Sequence, residues 1–373
     1  MKKITFYYGP KSDFINIIQK TPTFSTVSEL AIQSDKKMRE HVFKIQGRNG
    51  NKPEAAESKI KIETVVAFSE QYASLSDSAV QSFSSFIGMY DIDKLYLQNP
   101  PMQILAQFSA SECPIEIIKY HCRSVDEDVI RAVNAEYENN IIGQEKALHS
   151  LLVSLYPLCS AARTKPVVLL FYGPTGVGKS ETAQFLSRIM GQKLFRRQFS
   201  MFHSSEFASY LFGGRHTQSS LAKDLMERES NVILFDEFDK PSPVFHSAFY
   251  QLFDEGVYED RNYHADAERA VIICTSNYAS AAEAKEKLGA PLFARFDAVI
   301  EFSPLSDESM MKVMVKECSK VIDGLDPLTQ AAVSEKDVIT SIAPRIGEAG
   351  NVRRLNKMVR DAVSEILLDK MLK

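Results

Sequence analysis

The chain has 373 residues, 45% of them hydrophobic and 25% charged, with a net charge of −4. That length calls for two or three domains, each able to bury its own core, and the composition excludes a disordered or collagen-like chain. No long block of one charge sign offers the footprint expected for nucleic acid or an anionic membrane.

Met1-Lys2-Lys3 is basic, but the polar run Gly9-Pro10-Lys11-Ser12-Asp13 intervenes before an apolar leader segment can develop, and no run is long enough to span a membrane. Five scattered cysteines, Cys113, Cys122, Cys159, Cys274 and Cys318, form no C-x-x-C pair and read as reduced thiols, which points to the cytoplasm. The first segment, "FYYGPKSD" (6–13), predicts a strand end and a turn with a helix cap at Ser12 or Asp13. It joins Gly9-Pro10 directly to Lys11-Ser12, so it lacks the residues needed to curl around a phosphate. Further β-rich runs at 62–68, 94–99 and 115–121, with helical spacing over 77–90, predict a small open α/β domain over residues 1–135. The polar stretch 46–58 reads as a solvated loop, and His41 and His121 as solitary histidines without a ligand pattern. A helix over 124–139 then leads to a domain boundary near 135–141.

Beyond it, "PVVLLFY" (166–172) is a continuous apolar run, the mark of a parallel strand buried on both faces. It feeds Gly173-Pro174-Thr175-Gly176-Val177-Gly178-Lys179-Ser180, which fills G-x-x-x-x-G-K-[ST] at every fixed position, and a helical pattern over 180–190 follows. Strand, glycine-rich loop and helix together predict a nucleotide phosphate site, with backbone N–H groups around the phosphates and Lys179 on the outer ones. A second buried strand, "NVILF" (231–235), ends in Asp236-Glu237. There Asp236 is expected to hold magnesium with the Ser180 hydroxyl, and Glu237 to orient and deprotonate the attacking water. Asp239 reads as a helix cap or an ion-pair partner. A third strand, "AVIICTSN" (270–277), delivers a polar end at Thr275-Ser276-Asn277.

With these motifs in this order, the segment from about 141 onward resembles an AAA+ ATPase, and within it the second ATPase module of the Clp/heat-shock-100 class. The resemblance implies a large parallel-sheet subdomain over 136–303, a small helical lid over 304–373, and ATP with Mg²⁺ as ligands. Ile141 and Ile142 resemble the stretch that packs on the adenine, and "GPTGVGKSET", with Pro174, Thr175, Gly176, Val177, Gly178, Lys179, Ser180 and Glu181, the phosphate-binding Walker A. "VILFDEFDK" is similar to Walker B, and Asn277 stands where the family carries sensor 1. "PLFARFDAVIEFSPL" (291–305) places the arginine finger at Arg295, and "GNVRRLNKMV" (350–359) carries sensor 2 over to Arg353, with Arg354 as its rival. The apolar stripe Leu355, Met358, Val359, Ala362 and Ile366 predicts a helix there. An arginine finger acting on a neighbour's nucleotide implies a homo-oligomer, a ring with six subunits as a candidate size.

The sequence departs from the family in the threading elements. The glycine–aromatic–aliphatic–glycine grip is missing from "YLFGGRHTQSSLAKDL" (210–225), where Tyr210 and Phe212 read as core residues, and the second pore segment is altered to "YEDRNYHADAE" (258–268). The leading expectation is an ATP-hydrolysing AAA+ protein that remodels or regulates a protein partner recruited by residues 1–135. The alternative is a nucleotide-gated scaffold or switch controlling a separate effector, and the third a nucleic-acid loader or initiator, disfavoured by the absent basic stripe.

Overall fold

Val167–Tyr172, Val232–Asp236 and Val271–Thr275 are buried at every position, as their unbroken apolar runs require of central parallel strands. The structure is a computed structural model that describes residues 1–19, 23–34, 36, 59–109, 113–201 and 204–372. The stretch 46–58 and His41 lie outside the described residues. Strands are numbered in chain order, and the chain divides into two compact units.

The larger unit comprises 124–201, 230–254 and 269–373. Its five parallel strands are β6 (Val167–Tyr172), β7 (Phe195–Gln198), β8 (Val232–Asp236), β11 (Val271–Thr275) and β12 (Ala298–Glu301), ordered β12-β6-β11-β8-β7. Parallel pairing brings the carboxyl ends of β6, β8 and β11 to one edge, so the glycine-rich loop, Asp236 and Thr275 share it. The helix Glu127–Asn140 packs Val129, Val133 and Tyr137 into this core, with Tyr137 edge-on to Phe185 at 5.7 Å. Residues 124–135 therefore belong to this unit, and the expected boundary at 135/136 moves back to Arg123. The lid helices Asp307–Asp323, Glu335–Ile342 and Val352–Met371 close on Met314, Cys318, Val338, Ile342, Leu355 and Val359. Within the predicted stripe Leu355, Val359 and Ala362 are buried, and Met358 and Ile366 pack against them.

The smaller unit contains Met1–Arg123 together with two segments that interrupt the larger unit in sequence, Phe202–Glu229 and Glu255–Glu268. Its five-stranded parallel sheet is ordered β2-β3-β4-β1-β5, from β1 (Lys3–Tyr8), β2 (Ser25–Thr26), β3 (Lys61–Ala67), β4 (Asp91–Gln98) and β5 (Ile115–Lys119). The predicted helix over 77–90 is two, Asp77–Gln81 and Phe83–Ile87, because Ser82 leaves the helical region and its hydroxyl bonds the Ser78 carbonyl. The helix after β1 runs Lys11–Ile18 with Pro10 at its cap position. Ser12 and Asp13 thus lie in its first turn instead of capping it, and Asp13 accepts a hydrogen bond from the Tyr7 hydroxyl at 2.8 Å.

The two inserted segments include the helix Ser204–Phe212 and a hairpin of β9 (Val257–Glu259) and β10 (His264–Asp266). Tyr210 is buried, as expected, and its hydroxyl donates to Asp224 at 2.6 Å; Phe212 is instead 48% exposed. Tyr258 and Tyr263 are fully buried. After the Gly213-Gly214 turn, the buried His216 lies between the Leu75 carbonyl (2.9 Å) and Asp77 (3.0 Å).

Candidate active site

The carboxyl edge of the larger unit's sheet opens into a cavity of about 580 Å³. Gly173, Gly176 and Gly178 take positive φ to form the loop, and a Cβ on Gly173 would lie 2.1 Å from the Phe302 carbonyl oxygen, so only glycine fits there. The helix Lys179–Ile189 starts directly at the loop's end, leaving first-turn N–H groups free of intrahelical partners. Lys179 is buried, its Nζ donates to the carbonyls of Gly173 (2.6 Å) and Pro174 (2.7 Å), and burial pushes its pKa down to about 8.

Ile141, Ile142, Thr175, Gly176, Val177, Gly178, Lys179, Ser180, Glu181, Asp236, Glu237, Asn277 and Arg353 all line this cavity. Gln144 staples the Ile141–Ile142 stretch in place: its Nε2 donates to the carbonyls of Val177 (3.1 Å) and Ser303 (2.8 Å), and its Oε1 accepts from the Ser303 N–H. Ser180 Oγ donates to Asp236 Oδ1 at 3.1 Å, which sets a hydroxyl beside a carboxylate, the oxygen donors a magnesium ion takes. Thr275 Oγ1 also donates to Asp236 Oδ1 and accepts from the Glu237 N–H at 3.0 Å. Glu237 sits at φ +56, a left-handed conformation that costs a non-glycine residue roughly 1–3 kcal/mol. A hydrogen bond from Ser200 is the main cause holding its carboxyl below the usual range, and Gln198 adds another at 3.1 Å. Asn277 Oδ1 lies 3.4 Å from Lys179 Nζ.

Of the two rival arginines, Arg353 lines the cavity and its charge reaches Lys179, while Arg354 is absent from the lining; its backbone N–H donates to the cap side chain Asn351 at 3.0 Å. Arg295 is absent from the cavity lining. Its Nε donates to Asp254 at 2.8 Å and its guanidinium stacks 4.2 Å above the Tyr250 ring. Asp239 pairs with Lys240 at 3.0 Å.

Among the residues at this site that escaped the sequence reading, three bear on its chemistry. Arg196 Nη2 donates to Asp236 Oδ2 at 2.5 Å, Gln198 holds Glu237, and Asn356 lines the cavity beside Arg353. The first two project from β7, whose four residues "FRRQ" carry no apolar strand signal. Only pairing with β8, which sets Gln198 opposite Asp236, reveals them.

Residues 164–327 match the family model described as AAA domain (Cdc48 subfamily). This stretch is similar to the AAA+ ATPase modules of Clp-class proteins. The chain is 27% identical over 285 residues to the ClpA homolog protein of Fuscovulum blasticum, covering 66% of this chain and 35% of that protein. It is similar also to the chaperone protein ClpB of Wolinella succinogenes, 25% identical over 65% of this chain and 32% of the relative. The ATP-dependent Clp protease ATP-binding subunit ClpC of Staphylococcus saprophyticus is 26% identical over 64% of this chain and 35% of its own length. The chain thus spans about a third of the length of the curated relatives it matches. No helix among the described residues is long and apolar enough to cross a membrane.

Proposed function

We propose that the module binds ATP with magnesium and hydrolyses it, and that turnover in an assembly of several chains remodels or regulates a protein partner. The observation that carries this reading is the convergence of Lys179, Ser180, Asp236, Glu237, Asn277 and Arg353 on one cavity. In it the backbone of Thr175–Ser180 cradles the phosphates, Lys179 meets the outer ones, and Ile141 and Ile142 pack on the base. Ser180 and Asp236 would hold magnesium, which supplies charge neutralisation at the β- and γ-oxygens. Glu237, kept ionised by its Ser200 and Gln198 hydrogen bonds, accepts a proton from the attacking water. Asn277 and Arg353 approach the γ-phosphate from the sheet and the lid. Arg295 serves a neighbouring chain's nucleotide, a reading supported by its place outside the cavity lining.

The test is a pair of variants measured for nucleotide binding and phosphate release. Lys179→Ala loses ATP binding; Glu237→Gln keeps binding and loses turnover, because an amide cannot accept the proton. Near-normal turnover in Glu237→Gln sinks the assignment.

A second reading, a nucleotide-gated switch acting on a separate effector without threading polypeptide, draws on one observation. Of Tyr210 and Phe212, the aromatic candidates for a displaced grip, Tyr210 is buried with its hydroxyl on Asp224, whereas Phe212 is 48% exposed. Under either reading we assign partner recruitment to the amino-terminal α/β domain, and a cytoplasmic setting fits five cysteines without a C-x-x-C pair.

A further inference from the structure

In the smaller unit, β1 and β4 are neighbours whose following connections run in opposite directions. From β1 the chain crosses to β2 at the far edge; from β4 it passes over β1 to β5. The helix after β1 buries Phe14 and Ile18 with Tyr7 and Val66, whereas the helix Met102–Phe108 after β4 buries Ile104 and Phe108 with Ile4 and Phe6 on the other face. The loops therefore part at the carboxyl ends of β1 and β4. Such a switch point leaves a crevice, the usual ligand position in an open parallel sheet.

Here the crevice is lined with amides that converge on a carboxylate. Gln98 and Asn99 are both fully buried, and Asn99 adopts φ +44. Its amide brackets Gly9, accepting from the Gly9 N–H and donating to the Gly9 carbonyl, each at 2.9 Å. The same Nδ2 donates to Glu227 Oε1 at 2.7 Å. Gln98 Nε2 lies 3.1 and 3.2 Å from the two Glu227 oxygens, and the Lys11 N–H donates to Oε2 at 3.2 Å. A Cβ on Gly9 would lie 2.4 Å from the Tyr120 Cβ, so the backbone that frames the crevice tolerates no side chain there.

We propose that this crevice is a carboxylate-binding site whose ligand is the chain's own Glu227, so that the amino-terminal domain holds the segment 202–229 through that side chain. Hydrogen bonds to an ionised acceptor are the strong kind, and removing the carboxylate leaves buried N–H donors without a partner. Glu227 is the C-cap of the helix Leu221–Met226, so what holds Glu227 also fixes the end of that helix. Other contacts secure the same segment independently, among them His216 with Asp77 and Asn262 Nδ2 donating to the Gly214 carbonyl at 3.0 Å. Loss of Glu227 should therefore open the crevice locally. The inference does not depend on the ATPase reading.

Hydrogen exchange on the full chain tests it. Glu227→Ala should speed exchange in 9–14 and in 221–229 together, on the order of tenfold or more, with 173–180 unchanged. Sodium acetate, compared with chloride at equal ionic strength, should restore protection in Glu227→Ala by filling the vacated carboxylate position. It should do nothing in Glu227→Ala with Asn99→Gly, since glycine keeps the φ +44 backbone but removes the amide. Wild-type exchange rates in Glu227→Ala, no acetate effect, or equal acetate protection in the double variant would each overturn the proposal. If Glu227→Ala folds poorly, Glu227→Gln should show a smaller coordinated rise at both segments, and unchanged exchange there is equally fatal.

Discussion

At the residue scale, Glu237 pairs a strained backbone with the proton-accepting role we propose for it. Its φ of +56 aims the side chain into the cavity from a position that glycine would hold without strain. Glu237→Gly should therefore melt above Glu237→Ala, by about 1–2 kcal/mol of stability, although neither hydrolyses ATP. Equal melting of the two would mean the left-handed turn carries no strain. His264 offers a pH-dependent contact in the β9–β10 hairpin. Its hydrogen bond with Asp266 raises its pKa above 6.5, with Glu259 contributing, and Asp266 is held below the carboxylate range by the same pairing. A raised folded-state value means this stabilisation is fully present below pH 6.5 and is lost as pH climbs through the folded value. NMR titration should place His264 above 6.5, and Asp266→Asn should bring it down; an unshifted titration in that variant would remove Asp266 as the cause.

At the scale of elements, the phosphate loop is held from two sides. Gly173 lies against the Phe302 carbonyl after β12, and the Val352 N–H at the start of the last helix donates to the Gly176 carbonyl at 3.2 Å. Gly173→Ala must push the loop off Phe302, so both melting temperature and ATP affinity should fall together. A variant that binds ATP as the wild type does would show that the loop has slack. Gln144 supplies the third tie, linking the base-side stretch to the loop and to Ser303. These ties explain why residues far apart in the chain reach one cavity.

For the whole molecule, the composition of the smaller unit changes what a truncation can mean. Because 202–229 and 255–268 cluster with Met1–Arg123, a chain lacking residues 1–123 would strip the buried His216 of the Leu75 carbonyl and Asp77 that hold it. We expect that truncation to melt earlier and to bind a hydrophobic dye. A truncated module as stable as the full chain would show that the inserted segments fold alone. Assembly has its own test. Arg295→Ala chains keep Glu237 but lack the finger, and Glu237→Gln chains keep the finger, so mixing should recover part of the hydrolysis lost in each. If mixed chains co-assemble and recover nothing, Arg295 does not act in trans. A folded, tagged model substrate should also survive incubation with the wild type and ATP; robust unfolding abolished by Phe212→Ala would restore a threading motor with a displaced grip.

The sequence by itself determined the core of the candidate site. Lys179, Ser180, Asp236, Glu237 and Asn277 each stand at or just past the end of a continuous apolar strand or in the loop it feeds, and buried parallel strands bring such ends to one edge. It also determined the strand-and-helix character of residues 1–123, because short β-rich runs separated by turns leave few other arrangements. Only the tertiary structure sets Arg353, and not Arg354, on the cavity wall, since adjacent helical residues point some 100° apart and the cavity-facing side depends on how the last helix packs. It alone found Arg196 and Gln198, which sit on a polar strand defined by pairing and not by hydrophobicity. The place of 202–229 and 255–268 was likewise illegible in the chain. Local pattern shows which side chains are apolar or polar, but not that Glu227 meets Gln98 and Asn99, partners more than a hundred residues away along the chain.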